Sequence, residues 1–147
     1  MEPNEYSSFI SEMKPKPKAL INIINAFLCG GIIALIGQVF FDIYQVLLPS
    51  FPVSNISSLM ITTIILIASI LTGLSIFDKI ASYAGAGSFI PITGFSNALT
   101  SCALEGKSEG PIYGIGSNMF KLAGSVIVYG VCSSVFVNLV RYIIGLI

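Results

Sequence analysis

Ala19-Leu-Ile-Asn-Ile-Ile-Asn-Ala-Phe-Leu-Cys-Gly-Gly-Ile-Ile-Ala-Leu-Ile-Gly-Gln-Val-Phe-Phe41 runs for 23 residues without a charged side chain. As a helix rising 1.5 Å per residue it reaches about 34 Å, enough to cross a hydrocarbon core of roughly 30 Å. Asp42 ends the uncharged run, and the helix is expected to continue through Tyr44 to Leu48, where Pro49 and Pro52 make a turn. Ile43–Phe77 is again uncharged, with its helical part expected from about Ser57 to Phe77 and closed by Asp78 and Lys79. Near the C-terminus, Leu122–Val140 gives 19 uncharged residues between Lys121 and Arg141.

Composition agrees with this reading. Only 10% of the 147 residues are charged, against about 25% in a soluble domain whose surface must face water. Six of the 14 charged side chains precede Ala19, in an arm that is acidic first (Glu2, Glu5, Glu12) and basic last (Lys14, Lys16, Lys18). The Lys-Pro-Lys-Pro-Lys run blocks helix before Ala19. A secretory signal fits poorly, because the charged region opens with acids and the apolar run is too long. The chain therefore divides into a polar arm, 1–18, and a single polytopic membrane domain, 19–147. Its fold class is all-α integral membrane, with about four segments near 19–48, 57–77, 80–104 and 111–145.

The third segment is unlike the others. Ile80–Leu104 carries no charge, yet it is interrupted by Gly85, Gly87, Pro91 and Gly94, and it holds Ser82, Ser88, Thr93, Ser96, Asn97, Thr100 and Ser101. Non-helical backbone survives at membrane depth only when buried in protein or lining water. Ala84–Phe95 is accordingly read as a break joining two half-helices, either within a crossing or as a re-entrant hairpin. Half-helix N-termini present partial positive charge, to which transporters bring anionic groups. Gly85, Gly87, Ser88, Pro91, Thr93, Gly94 and Asn97 are the permeation or gating candidates. Glu105, Asn118 and Lys121 join them because they flank this segment and a second glycine-rich stretch, Pro111–Phe120. Gly85-Ala-Gly-Ser is echoed by Gly114-Ile-Gly-Ser, which suggests a paired arrangement.

Small residues every four positions let helices approach closely in lipid. Ala26, Gly30 and Ala34, continued by Gln38, form one such stripe, and Gly130, Ser134 and Asn138 another. They are read as helix-packing positions, within the chain or toward another subunit.

Other chemistries are excluded by residue type. Without histidine, and with Cys29, Cys102 and Cys132 dispersed, no metal cluster is expected, nor a serine hydrolase with its base. The glycine runs lack the third glycine of a dinucleotide fingerprint. No basic cluster suits nucleic acid. No enzyme and no cofactor are expected. Lys14, Lys16 and Lys18 flank the first span, while the loop after it has no lysine or arginine, so the N-terminus is expected on the cytoplasmic side. A crossing at 80–104 puts Lys107 outside and Arg141 inside; a re-entrant hairpin does the reverse.

Tyr83-Ala-Gly-Ala-Gly-Ser-Phe-Ile-Pro-Ile-Thr-Gly-Phe-Ser-Asn97, Ala103-Leu-Glu105, Glu109-Gly110, Gly114-Ile-Gly-Ser-Asn-Met-Phe-Lys-Leu-Ala-Gly124 and Val126-Ile-Val-Tyr-Gly130 resemble the SpoVA AC/AE sporulation membrane family, as does Ala26–Gln38. The polar arm is similar to that of the longer AC-type members. The resemblance implies a subunit of the spore inner-membrane system that moves dipicolinic acid, with calcium, into the forming spore and releases it at germination, with tension-gated conductance. It also implies an AE-type membrane subunit and a soluble AD-type protein as partners. The alternative is a non-conducting assembly subunit that organises those partners.

Overall fold

The computed structural model describes residues 18–145; most of the polar arm lies outside them. Two long helices come first, α1 (Ala19–Leu47) and α2 (Val53–Gly73). Three shorter ones follow: α3 (Phe77–Ala84), α4 (Ala86–Phe89) and α5 (Ile92–Gly106). A 3-10 turn at Lys107–Glu109 and a π turn at Pro111–Gly116 lead into α6 (Ser117–Gly145). Three stretches, Ala19–Leu47, Val53–Gly73 and Pro111–Gly145, are long and apolar enough to cross a membrane.

The second helix departs from expectation at both ends. It starts at Val53, not near Ser57, because Pro52 adopts an extended conformation as its N-cap and accepts the first backbone bonds from Asn55 and Ile56. It ends at Gly73, not Phe77. Ser75 takes a left-handed conformation (φ 57°), while the Ile76 N–H reaches the Leu71 carbonyl and the Ser75 N–H the Thr72 carbonyl, both at 2.9 Å. This paired closure is a Schellman motif, which turns the chain sharply away from the helix axis. Asp78 and Lys79 then open α3 instead of closing α2. Asp78 lies in the first turn of α3, where a carboxylate complements the helix dipole.

α3, α4 and α5 make a hairpin that turns back on itself. α3 is two-sided: Phe77, Ala81 and Ala84 are buried, whereas Asp78, Lys79, Ser82 and Tyr83 are exposed. Gly85 breaks the chain with φ 52° and ψ −126°, a region that a side chain resists. α4 packs on α1, and Pro91 in extended conformation starts α5. α5 packs chiefly on α2. Ile92 lines a groove with Met60, Ile61 and Ile64. Further along, Ser96 meets Ile65 and Ser69, and Asn97 meets Thr72. These contacts advance together, so α5 runs in the same sense as α2 and both ends of the hairpin lie toward the C-terminal end of α2. With 15 residues, α5 is about 22 Å long, short of a full crossing. The α3–α5 segment therefore folds back on itself beside α2.

The chain leaves the hairpin through a glycine joint. Gly110 (φ 95°) precedes Pro111, and the Gly114 and Ile115 N–H groups both reach the Gly110 carbonyl in a widened π turn. That turn sets Gly114 against Gly106, so a Cβ on either glycine would overlap the other's carbonyl oxygen. α6 then packs on α5 and the π turn through its first turns, and from Ser125 to Gly145 every residue is exposed.

Candidate functional site

The site is built where the hairpin meets α1 and α2. Gly87 is buried with its backbone against α1: a Cβ there would overlap the Ala26 carbonyl oxygen, while one on Gly30 would sit 3.4 Å from the Gly87 oxygen. Two stripe positions of α1, Ala26 and Gly30, thus carry the break of the hairpin. Ala34 and Gln38 remain exposed further up the same helix, where the Gln38 amide donates to Asp42 at 2.8 Å.

Polar groups inside the hairpin are paired with one another. The buried Ser88 hydroxyl donates to the Gly85 carbonyl at 3.1 Å, and the Thr93 hydroxyl to the Ser88 carbonyl at 3.3 Å. A Cβ on Gly94 would overlap the Phe89 carbonyl oxygen, so this glycine lets α5 fold back tightly on α4. Toward α2, the Thr72 hydroxyl shares its proton between the Ala68 carbonyl at 2.7 Å and Asn97 Oδ1 at 2.8 Å. The Ser69 and Ser96 hydroxyls lie 2.9 Å apart, and both reach the Ile65 carbonyl at 2.9 Å. Among the described residues no buried side-chain polar atom lacks a partner. An unpaired polar group costs several kcal/mol in hydrocarbon, so this ladder holds hairpin and α2 in one register.

The sequence candidates fall into two groups. Gly85, Gly87, Ser88, Pro91, Thr93, Gly94 and Asn97 belong to the hairpin and its packing. Glu105 and Lys121 are exposed near its base, and Asn118 is half-buried with its amide against Gly106. The second stripe, Gly130, Ser134 and Asn138, is exposed among the described residues, and Asn138 bonds back to the Ser134 carbonyl at 3.0 Å. Thr72 and the Gly106–Gly114 joint belong to the architecture but did not stand out in the sequence. Thr72 is one hydroxyl among many in an apolar run, and the joint needs the tertiary fold. The echoed Gly-x-Gly-Ser segments play different parts, a helix break in one case and a π turn in the other.

Between α1, α2 and α3, a half-open apolar cavity of about 270 Å³ is lined by Cys29, Ile32, Leu71, Phe77, Ile80 and Thr93 among others. α5 opens beside it with no acidic residue in its first turn. The three cysteines are free thiols, and among the described residues no cluster could hold a metal ion.

Among the described residues the fold is all-helical, with three helices long and apolar enough to cross a membrane and a glycine-broken hairpin between the second and third, the architecture of a polytopic membrane protein. Its sequence matches the SpoVAC/SpoVAEB sporulation membrane protein family over residues 22–140, and the chain belongs to that family. It is 44% identical over 137 residues to stage V sporulation protein AC of Bacillus subtilis (strain 168), covering 93% of this chain and 91% of the relative. No solved structure matches it.

Proposed function

We propose that this chain is a membrane subunit of the system that carries dipicolinic acid, with calcium, into the forming spore and out again at germination, and that the α3–α5 hairpin is its moving element. The observation that carries this reading is the hairpin itself: polar, glycine-broken backbone packed between two apolar spans, held by close glycine contacts and a short hydroxyl–amide ladder. Such an element is bistable, because its bonds can be exchanged for water without breaking a continuous helix. α5 begins within the bundle without a side-chain cap, and the partial positive charge of its N-terminus favours a dicarboxylate over a cation. Membrane tension that widens the bundle would favour the state in which the hairpin has left α1. On this reading the chain sits in the spore inner membrane with AE-type and AD-type proteins as partners, and the lysines before α1 put its N-terminus on the core side.

Liposomes loaded with dipicolinate test this directly. Release is expected from this subunit alone or together with its AE-type partner, and it should rise when the membrane is stretched. Lack of release from both preparations, with insertion verified, would favour an assembly role, a reading that the exposed length of α6 also supports.

A further inference from the structure

From Ser125 to Gly145 every residue of α6 is exposed among the described residues. α1, conversely, presents an open groove beside the hairpin, lined by Phe27, Gly31, Ala34, Ala86, Ile90 and Pro91. The two surfaces carry matching ladders. Along α1 the order is Gly30, Ala34, Gln38, Asp42; along α6 it is Gly130, Ser134, Asn138, Arg141. Each ladder has small residues first, then an amide, then a charge, and the charges are opposite. Asp42 is the one charged residue of α1, and Arg141 the one charged residue of α6 beyond Lys121. Both are exposed. The two helices also run the same way: α1 ends where α2 begins, and α6 starts beside the end of α5, which lies toward the C-terminal end of α2.

We propose that the Gly130–Arg141 face of α6 seats in the α1 groove of a second copy of this chain, parallel to it, with Asn138 beside Gln38 and Arg141 beside Asp42. Copies in one membrane share their orientation, so a parallel pairing of two different faces is allowed. It is a head-to-tail contact, in which each copy gives one helix and receives another, and it closes into a ring when the rotation permits. Small residues allow the close approach, and the amides bond across the contact once they exchange their intrahelical partners. The charge pair selects the register: a slip of one turn sets Arg141 beside Gln38 and leaves Asp42 unpaired. The seated helix also covers Ile90 and Pro91, placing the neighbour directly on the break of the hairpin.

The test uses two differently tagged full-length copies, co-expressed without other sporulation proteins, with Cys29, Cys102 and Cys132 replaced by serine. Ala34→Cys in one copy and Ser134→Cys in the other should form a disulfide-linked heterodimer in membranes on oxidation, as should Phe27→Cys with Ile127→Cys. Ala34→Cys with Ile127→Cys, about 10 Å out of register, should not. Asp42→Lys or Arg141→Glu alone should lower cross-linking by up to about fivefold, the ceiling for an ion pair in contact with water, and the two together should restore it. Two independent cysteine pairs guard against a single variant that fails to fold. Absence of cross-linking at both pairs in inserted protein would overturn the proposal. So would efficient linking of Ser134→Cys to itself, or linking that needs an AE-type subunit. Because the readout is contact, failure here leaves the transport reading standing, and failure of transport leaves this contact standing.

Discussion

The carbonyl oxygen of Ala26 occupies the space that a side chain at Gly87 would need. This one contact fastens the break of the hairpin to the first membrane helix, and it makes a graded prediction. Gly87→Ala should lower stability in detergent by about 1–3 kcal/mol, as overpacking does. Gly30→Ala, whose Cβ would stand 3.4 Å from the Gly87 oxygen, should lower it less. Thermal unfolding of the two purified variants checks the order.

Thr72 and Asn97 share the innermost bond of the polar ladder, at 2.8 Å. A double-mutant cycle with Thr72→Val and Asn97→Leu should give a coupling of about 0.6 kcal/mol, and at most ~1.7, as measured for hydrogen bonds between membrane helices. A coupling of zero would mean that the ladder does not hold the hairpin.

The joint between Gly106 and Gly114 should tolerate nothing larger. Gly114→Ala is expected to destabilise by at least about 1–3 kcal/mol and to reduce accumulation in membranes. Gly124→Ala, at a position where a Cβ meets nothing within 4 Å, should leave accumulation unchanged. Quantifying both variants in the same membranes provides the comparison.

Ser75 holds a left-handed conformation at the end of α2. Glycine is the residue best suited to that position, and relief of the steric cost is partly offset by unfolded-chain entropy. Ser75→Gly should raise stability by about 0.5–1 kcal/mol, read as an increase in unfolding temperature. A decrease would mean that the hydroxyl itself is needed.

A hairpin that enters and leaves the membrane on one side makes a topological prediction. Cysteines at Lys18 and Ser108 should react with a membrane-impermeant thiol reagent from one side, and a cysteine at Gly145 from the other. Labelling of positions 18 and 145 from the same side would require the hairpin to cross.

Much of this fold is legible as uncharged runs. α1, α2 and α6 could be read from composition because a span in lipid excludes charge over its whole length. The ends of α2 could not, because backbone closure sets them, not charge: Pro52 starts α2 and Ser75 ends it, while Asp78 and Lys79, which look like punctuation, belong to α3. Gly85 and Pro91 announced the break of the hairpin, and each lies where α3 or α5 is interrupted or begins. The sequence left open whether this segment folds back or crosses, since the choice depends on pairing Ser96 and Asn97 with residues some 25 to 31 positions away. Thr72 was invisible for the same reason. The SpoVA family itself was readable from the Gly-Ala-Gly to Thr-Gly-Phe run, and the family match supports that resemblance.

The claim that matters most is that the hairpin must move for solute to pass. Cys29 and Ile80 line the same cavity between α1 and α3. A protein with Ile80→Cys, native Cys29 and the other two cysteines replaced can be bridged across that cavity by a short bifunctional thiol reagent that reductant cleaves. In liposomes that release dipicolinate, bridging should stop release and reduction should restore it. Undiminished release from protein shown to be fully bridged would contradict a moving hairpin.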